Sequence, residues 1–326
     1  MIRQLFLVIG ALALLSLTAS AQHIRAGIIG LDTSHVLAFT KTLNTTPQIP
    51  EVMGVRVVAA YPQGSKDIES STKRVPEYTE KVKALGVEIV PSIDALLDKV
   101  DVVFLESNDG RVHLEQVLPC LEAHKPVFID KPVAGTLVDA IRIYDASKKT
   151  GIPVFSSSSL RFGKSTQAVR KGSIGRVSSA ETSSPASLEP SHPDLFWYGI
   201  HGVESLFTIM GTGCQGVKRG TTADGKITVT GTWEGARTGT YTEAKGYGGK
   251  ATGDKGADDT VGKYEGYDPL LFSVVHFFRT GITPVSPEET LEIYAFMEAA
   301  DESKRRNGAD VTLKEVMEKA VAEARK

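Results

Sequence analysis

Residues 24–39 read IRAGIIGLDTSHVLAF, and this stretch decides the fold. Ala26 to Leu31 is a short apolar run that stops at Asp32-Thr33-Ser34, beyond which Val36, Phe39 and Leu43 recur at helical spacing. Strand, tight turn and helix in this order open a nucleotide-binding βαβ unit, where a ligand phosphate rests on the helix's free N–H groups. The usual fingerprint of that turn is G-x-G-x-x-G. Here the aligned residues are Gly30-Leu31-Asp32-Thr33-Ser34-His35. The first glycine is kept, and Asp32 and His35 stand in place of the other two.

Upstream, Arg3 gives a short positive start, Leu5 to Leu17 is apolar, and Ala19-Ser20-Ala21 has the form of a cleavage site. These features predict a signal peptide over residues 1–21, a mature N-terminus at Gln22, and a periplasmic or secreted protein. The apolar run is too short for a permanent span. No twin arginine and no cysteine at the cleavage point indicate folded export or a lipid anchor, so no membrane anchor is expected after cleavage.

Downstream, β and α patterns alternate. Strands are predicted at Val55–Ala60, Glu88–Val90, Val102–Leu105, Pro126–Ile129 and Pro153–Ser156, with helices around Tyr78–Leu85, Asp94–Leu97 capped by Ser92, a helix opened by His113, and Leu137–Ser147. Such alternation makes a parallel sheet covered by helices on both faces. Glu106-Ser107-Asn108-Asp109-Gly110 closes one strand at the sheet's carboxyl edge, where ligands bind. Beyond Leu160 the texture changes. Val177 to about Tyr247 is rich in Thr and Gly, with Ile227, Val229, Gly231 and Trp233 on one face, which reads as antiparallel strands around an inserted helix, Ile200–Met210. Gly246–Gly266 reads as a glycine-rich loop. Asp268-Pro269 starts a helix stopped by Gly281, with Leu271, Val274, Val275 and Phe278 inward. Ser286-Pro-Glu-Glu289 and Thr312-Leu-Lys-Glu315 are capping boxes for two last helices. The expected organisation is therefore α/β: a Rossmann doubly wound parallel sheet over residues 22–155, then a C-terminal α+β domain over 156–326 with an open, mostly antiparallel sheet.

Composition narrows the function. The 326 residues carry 37 Lys+Arg against 39 Asp+Glu, no charge excess to hold a nucleic acid or an anionic membrane surface. Cys120 and Cys214 are the only cysteines; they fall in different predicted domains and read as buried thiols rather than a disulfide framework.

Four further markers carry a family resemblance: the first turn, Phe128-Ile-Asp-Lys-Pro132, Arg161-Phe162, and Gly199-Ile-His201-Gly-Val-Glu204. In this order and at these separations the chain resembles the Gfo/Idh/MocA oxidoreductases, typified by glucose–fructose oxidoreductase and inositol dehydrogenase. The resemblance implies reversible hydride transfer between NAD or NADP and a carbon bearing a hydroxyl, in a small-molecule sugar or polyol. It also implies a homo-oligomer, dimer or tetramer, built through the open sheet. It makes Lys131 and His201 the catalytic residues: the lysine contacts substrate and nicotinamide ribose, and the histidine is the general acid/base. The family's aspartate four residues before that histidine is here Trp197, leaving Asp194 or Glu204 as substitutes. The cofactor set is Gly30, Asp32, Thr33, Ser34, His35, Ser107, Asn108, Lys131 and Arg161.

Two features count against the dinucleotide. A carboxylate at Asp32 about 5 Å from a phosphate charge costs roughly 3 kcal/mol at an effective dielectric near 20, on the order of a hundredfold in affinity, unless Asp32 instead caps the helix through the Ser34 or His35 N–H. No acidic residue follows the second strand to take the ribose hydroxyls; Ser65 and Lys66 there either accept a 2′-phosphate or form an ordinary loop. Asp32, His35, Lys131 and His201 are expected to share one cleft, and no metal site is assigned to them. Three readings follow: an exported NAD(P)-dependent oxidoreductase; a redox-inactive relative doing acid/base chemistry, lyase or isomerase, on carbohydrates; and a non-catalytic carbohydrate-binding protein.

Overall fold

The computed structural model describes residues 23–326; the predicted signal peptide lies outside the described residues. Six parallel strands, β1 (Ile24–Ile29), β2 (Val55–Tyr61), β3 (Glu88–Ile89), β4 (Val102–Leu105), β5 (Val127–Ile129) and β6 (Val154–Ser156), form a sheet in the order β3-β2-β1-β4-β5-β6. The order reverses between β1 and β4, so the crevice of this doubly wound sheet opens above their carboxyl ends. The crossovers are α1 (Ser34–Asn44), α2 (Glu69–Ala84), α3 (Ile93–Leu97), α4 (His113–Glu122) and α5 (Leu137–Thr150). Ser92 caps α3 by accepting the Ala95 N–H, as its position predicted. α2 begins nine residues before the expected Tyr78, at Glu69. Its first half is Ser-, Thr- and Lys-rich and only Ser71 and Val82 are buried, so hydrophobic periodicity could not mark its start.

Alternation along the strands gives the sheet two apolar faces. Ile29, Val103, Leu105, Val127, Ile129 and Val154 pack with residues of α3, α4 and α5. On the other face Ala26, Ile28, Phe104, Phe128 and Phe155 pack with Val36, Phe39 and Leu43 of α1. That second face is completed by a helix from far along the chain, Asp268–Thr280, labelled α8 below: Phe278 meets Phe104 at 5.0 Å and Phe277 meets Phe155 at 4.9 Å, both edge to face. Burying a phenylalanine is worth about 1.5–3 kcal/mol, which makes α8 a structural part of the first sheet.

The second sheet has seven strands: β7 (Val177–Ser184), β8 (Cys214–Thr221), β9 (Ile227–Trp233), β10 (Arg237–Glu243), β11 (Gly248–Gly253), β12 (Gly256–Asp258) and β13 (Val311–Thr312), in the order β12-β11-β7-β10-β9-β8-β13. All neighbours are antiparallel except β7 and β10. β11 and β12 correct the expectation of a loop over 246–266. Their glycines hide the strand pattern, yet Gly249 lies against the β7 backbone so closely that a Cβ there would meet the Glu181 carbonyl oxygen at 2.4 Å. Helices α6 (Lys164–Arg170), α7 (Ile200–Met210), α8, α9 (Pro287–Arg305) and α10 (Leu313–Ala324) accompany this sheet. Trp233 packs between Phe207 of α7 and Phe296 of α9. The opposite face carries an exposed Thr230–Thr240 hydroxyl pair at 3.1 Å. Ser286 and Thr312 accept the N–H groups three residues on, at 3.1 and 3.2 Å, the capping half of each predicted box. Cys120 and Cys214 are buried free thiols.

Candidate active site

A cleft of about 350 Å³ lies above the carboxyl ends of β1, β4 and β5 and is closed on its far side by the second domain. Thr33, Ser34, His35, Asn108, Lys131 and His201 line it, as expected. Gly30, Asp32, Ser107 and Arg161 are not among its lining residues. Gly30 acts through the backbone: with φ of +86° it turns the chain out of β1, and a Cβ there would lie 2.4 Å from the Ser107 nitrogen. Ser107 donates to Gln116. Arg161 is buried between Glu204 and Glu289, so it cannot reach a ligand in the cleft.

Asp32 neither caps α1 nor faces the cleft. Its carboxylate accepts the Ser71 hydroxyl at 2.6 Å and the Asn108 N–H at 2.9 Å, and burial pushes its pKa up to about 6 despite those donors. The carboxylate is therefore turned toward Ser71 and the Asn108 N–H rather than toward a phosphate on α1, so the repulsion inferred from sequence is an upper bound. Thr33, at the helix N-cap, makes no side-chain cap; its hydroxyl donates to Glu106 instead. The first-turn N–H groups of α1 thus carry no side-chain cap, and Arg74, whose guanidinium bonds the Asp32 carbonyl, lines the same wall. Ser65 donates to Asp109, and Asp109 also binds Arg111.

Lys131 follows β5. Its Nζ lies 5.8 Å from the Tyr198 ring centroid, and the same ring meets His201 edge-on at 5.0 Å. The lysine and the histidine therefore share one aromatic partner at the domain junction. His201 is nearly buried, with Nδ1 2.7 Å from the Ser158 hydroxyl. Burial, then the Lys131 charge, holds its pKa well below 6.5. Neither carboxylate suggested as its partner fills that role. Asp194 is bound by Arg219 and Lys304, and Glu204 by Arg161 and Ser157. Trp197 packs on His192. A neutral hydroxyl orients the imidazole without offsetting its positive form, which agrees with the low basicity.

Several lining residues escaped sequence reasoning. Tyr198, Tyr247, Tyr264 and Tyr267 make an aromatic wall, with Tyr198 and Tyr247 hydroxyls 3.0 Å apart and Ser34 bonded to Tyr267 at 2.8 Å. Three of these come from the glycine-rich stretch and the start of α8, where no periodicity marks them. Glu106 and Asp130, at the ends of β4 and β5, were readable as strand-end residues but drew no role. Burial, then the neighbouring Asp130, raises Glu106 well above the usual carboxylate range. Burial works in the same sense on Asp130, but His35 and Lys131 keep that carboxyl low.

The residues present fit a dinucleotide in outline. An uncapped helix N-terminus and Arg74 suit its phosphates, and Lys131 stands at the strand end beyond them.

Comparison with known proteins agrees with this geometry. Residues 24–157 match a family described as oxidoreductase family, NAD-binding Rossmann fold. Over 116 residues the chain is 30% identical to a myo-inositol 2-dehydrogenase of Thermotoga maritima, covering 34% of this chain and 31% of that protein. The chain thus matches about a third of the length of that curated relative. Among solved structures, a probable dehydrogenase of Thermotoga maritima superposes with a TM-score of 0.69 at 20% identity, covering 90% of this chain and 100% of the other. A myo-inositol dehydrogenase of Lactobacillus casei in complex with NAD(H) and myo-inositol superposes with a TM-score of 0.68 at 18% identity, covering 89% and 96%. At these identities the structural likeness establishes the shared two-domain fold.

Proposed function

Starting from a chain that belongs, through residues 24–157, to the Gfo/Idh/MocA oxidoreductase family, we propose that it is an NAD(P)-dependent dehydrogenase acting on a hydroxyl-bearing carbon of a sugar or polyol. The observation that carries this is the meeting of an uncapped α1 N-terminus, Lys131 and His201 in a single cleft at the strand-order reversal. When bound, a nicotinamide dinucleotide supplies the hydride acceptor for such an oxidation. Thr33, Ser34 and His35 offer backbone N–H groups to its phosphates, and Asn108, Arg74 and Lys131 are the polar side chains beside it.

The chain's own residues handle the proton. Lys131 stabilises negative charge developing on the substrate oxygen. His201 holds Nδ1 against Ser158, leaving Nε2 for the substrate hydroxyl. Its low basicity means that the ammonium must acidify the hydroxyl before the imidazole accepts the proton. The tyrosine wall offers flat faces to the C–H surfaces of a ring-shaped polyol and hydroxyls to its rim. Export behind residues 1–21, and self-association through the open face of the second sheet, belong to the same proposal.

The test is a screen of inositols, sugars and glycosides with NAD and with NADP, read by reduced-nicotinamide absorbance. Lys131→Met and His201→Asn should each lower turnover on the order of a hundredfold to ten-thousandfold while unfolding at the wild-type temperature. Near-wild-type turnover in both variants would place the chemistry elsewhere.

A further inference from the structure

We propose that His35, Glu106 and Asp130 form a binding site for one divalent transition cation, of the zinc or manganese class, opening onto the cleft. Each residue offers one ligand atom, and these atoms all lie within 4.8 Å of one another. His35 Nδ1 is 3.2 Å from Asp130 Oδ1 and 3.7 Å from Glu106 Oε2. Around a cation with bonds of about 2.0–2.1 Å, tetrahedral ligands stand roughly 3.3 Å apart, so the trio already has the spacing of a coordination shell.

A second observation concerns the same residues, and His35 Nδ1 is the unpartnered atom that faces both carboxylates. His35 Nδ1 and Glu106 Oε1 are buried atoms with no hydrogen-bond partner, on residues 5% and 0% exposed. Nδ1 lies near Asp130 without making a directed hydrogen bond. Two buried carboxylates sharing one imidazole are costly unless something positive sits among them. Lys131 and Arg74 are the other cations on this wall, and Asp32 turns its carboxylate toward Ser71, away from it.

Each ligand is also held in place by a neighbour, as metal ligands generally are. The His35 ring stacks on Phe39 at 5.0 Å and takes the Tyr267 edge at 4.4 Å. Glu106 accepts the Thr33 hydroxyl at 2.8 Å. Asp130 accepts the Lys131 N–H at 2.8 Å. One imidazole and two carboxylates make a borderline-hard donor set. Three protein ligands leave coordination positions open, the pattern of a reactive rather than a closed structural site. His35 and Asp130 line the cleft, so those positions face it, within reach of vicinal hydroxyls of a bound polyol. The site shares no ligand with the Lys131–His201 pair, although Asp130 accepts the Lys131 N–H, and it needs no dinucleotide.

The purified chain is stripped with chelator, desalted, and titrated by calorimetry with zinc chloride and separately with manganese chloride. No nicotinamide is present, so the result is independent of the dehydrogenase assignment. One equivalent of either metal should bind. Glu106→Gln and Asp130→Asn should each weaken it on the order of a hundredfold or more, and Thr33→Val, which keeps all three ligands, by about tenfold. Thermal unfolding separates lost ligation from lost folding: metal should raise the wild-type midpoint and leave that of Glu106→Gln unmoved, while metal-free Glu106→Gln should melt no lower than metal-free wild type. Absence of stoichiometric binding by both metals overturns the proposal, as does binding that all three variants retain.

Discussion

Replacing Asp32 by asparagine keeps its shape and removes a buried charge. In the folded protein burial raises this carboxyl from its ordinary 3.8 to about 6, which is about 3 kcal/mol at roughly 1.4 kcal/mol per pH unit. A carboxyl whose pKa is raised by folding destabilises the fold once ionised. That penalty is absent below pH 4, grows between pH 4 and 6, and is complete above pH 6. The asparagine oxygen still accepts the Asn108 N–H, but its NH₂ must face Ser71, whose oxygen already accepts the Ser65 N–H. Disturbing that bond costs about 1 kcal/mol. At pH 7 Asp32→Asn should therefore be more stable than wild type by roughly 2 kcal/mol, and at pH 4 less stable by about 1 kcal/mol. Urea unfolding of both proteins at several pH values between 4 and 7 measures the difference. A difference that stays flat across that range, or one that favours wild type increasingly toward pH 7, refutes the reasoning.

His201 owes part of its low pKa to the Lys131 charge, so Lys131→Met should raise it, still below 6.5 because burial is the larger cause; imidazole resonances titrated by NMR would show the shift, and an unchanged pKa would mean the two side chains do not face each other. Gly30→Ala puts a side chain at φ of +86° with its Cβ 2.4 Å from the Ser107 nitrogen; a left-handed residue alone costs about 1–2 kcal/mol, so unfolding by calorimetry should shift down by several degrees, and a wild-type midpoint would show that the β1 turn gives way. N-terminal sequencing of protein from its native host should begin at Gln22; a sequence beginning at Met1 would remove the basis for export.

Most of the architecture was legible because it rests on short-range periodicity and capping. β1, β4, α1 and the inward residues of α8 follow from apolar spacing, and Ser92, Ser286 and Thr312 from side chains placed to accept specific N–H groups. The site was legible where a motif fixes a residue at a strand end, as at Lys131, or on a helix, as at His201. It was not legible where a partner is chosen by long-range packing. Asp32 turns toward Ser71 on α2 rather than its own helix. Arg161 goes to two buried glutamates, and Ser158 takes the place of the expected carboxylate. Tyr264 and Tyr267 reach the cleft because α8 docks on the first sheet, a fact carried by no local pattern.

That docking bears on the order in which the chain can fold. β6 ends at Ser156, whereas α8 ends at Thr280, and Phe278 and Phe277 of α8 cover the part of the first sheet's aromatic face made by Phe104 and Phe155, beside α1. At synthesis rates of about 5–20 residues per second, the first sheet waits on the order of ten seconds with that part of the face open. A nascent chain in that interval presents a sticky surface to chaperones, and a fragment ending near Ser156 keeps it permanently. The first domain is thus finished only after most of the second has been made.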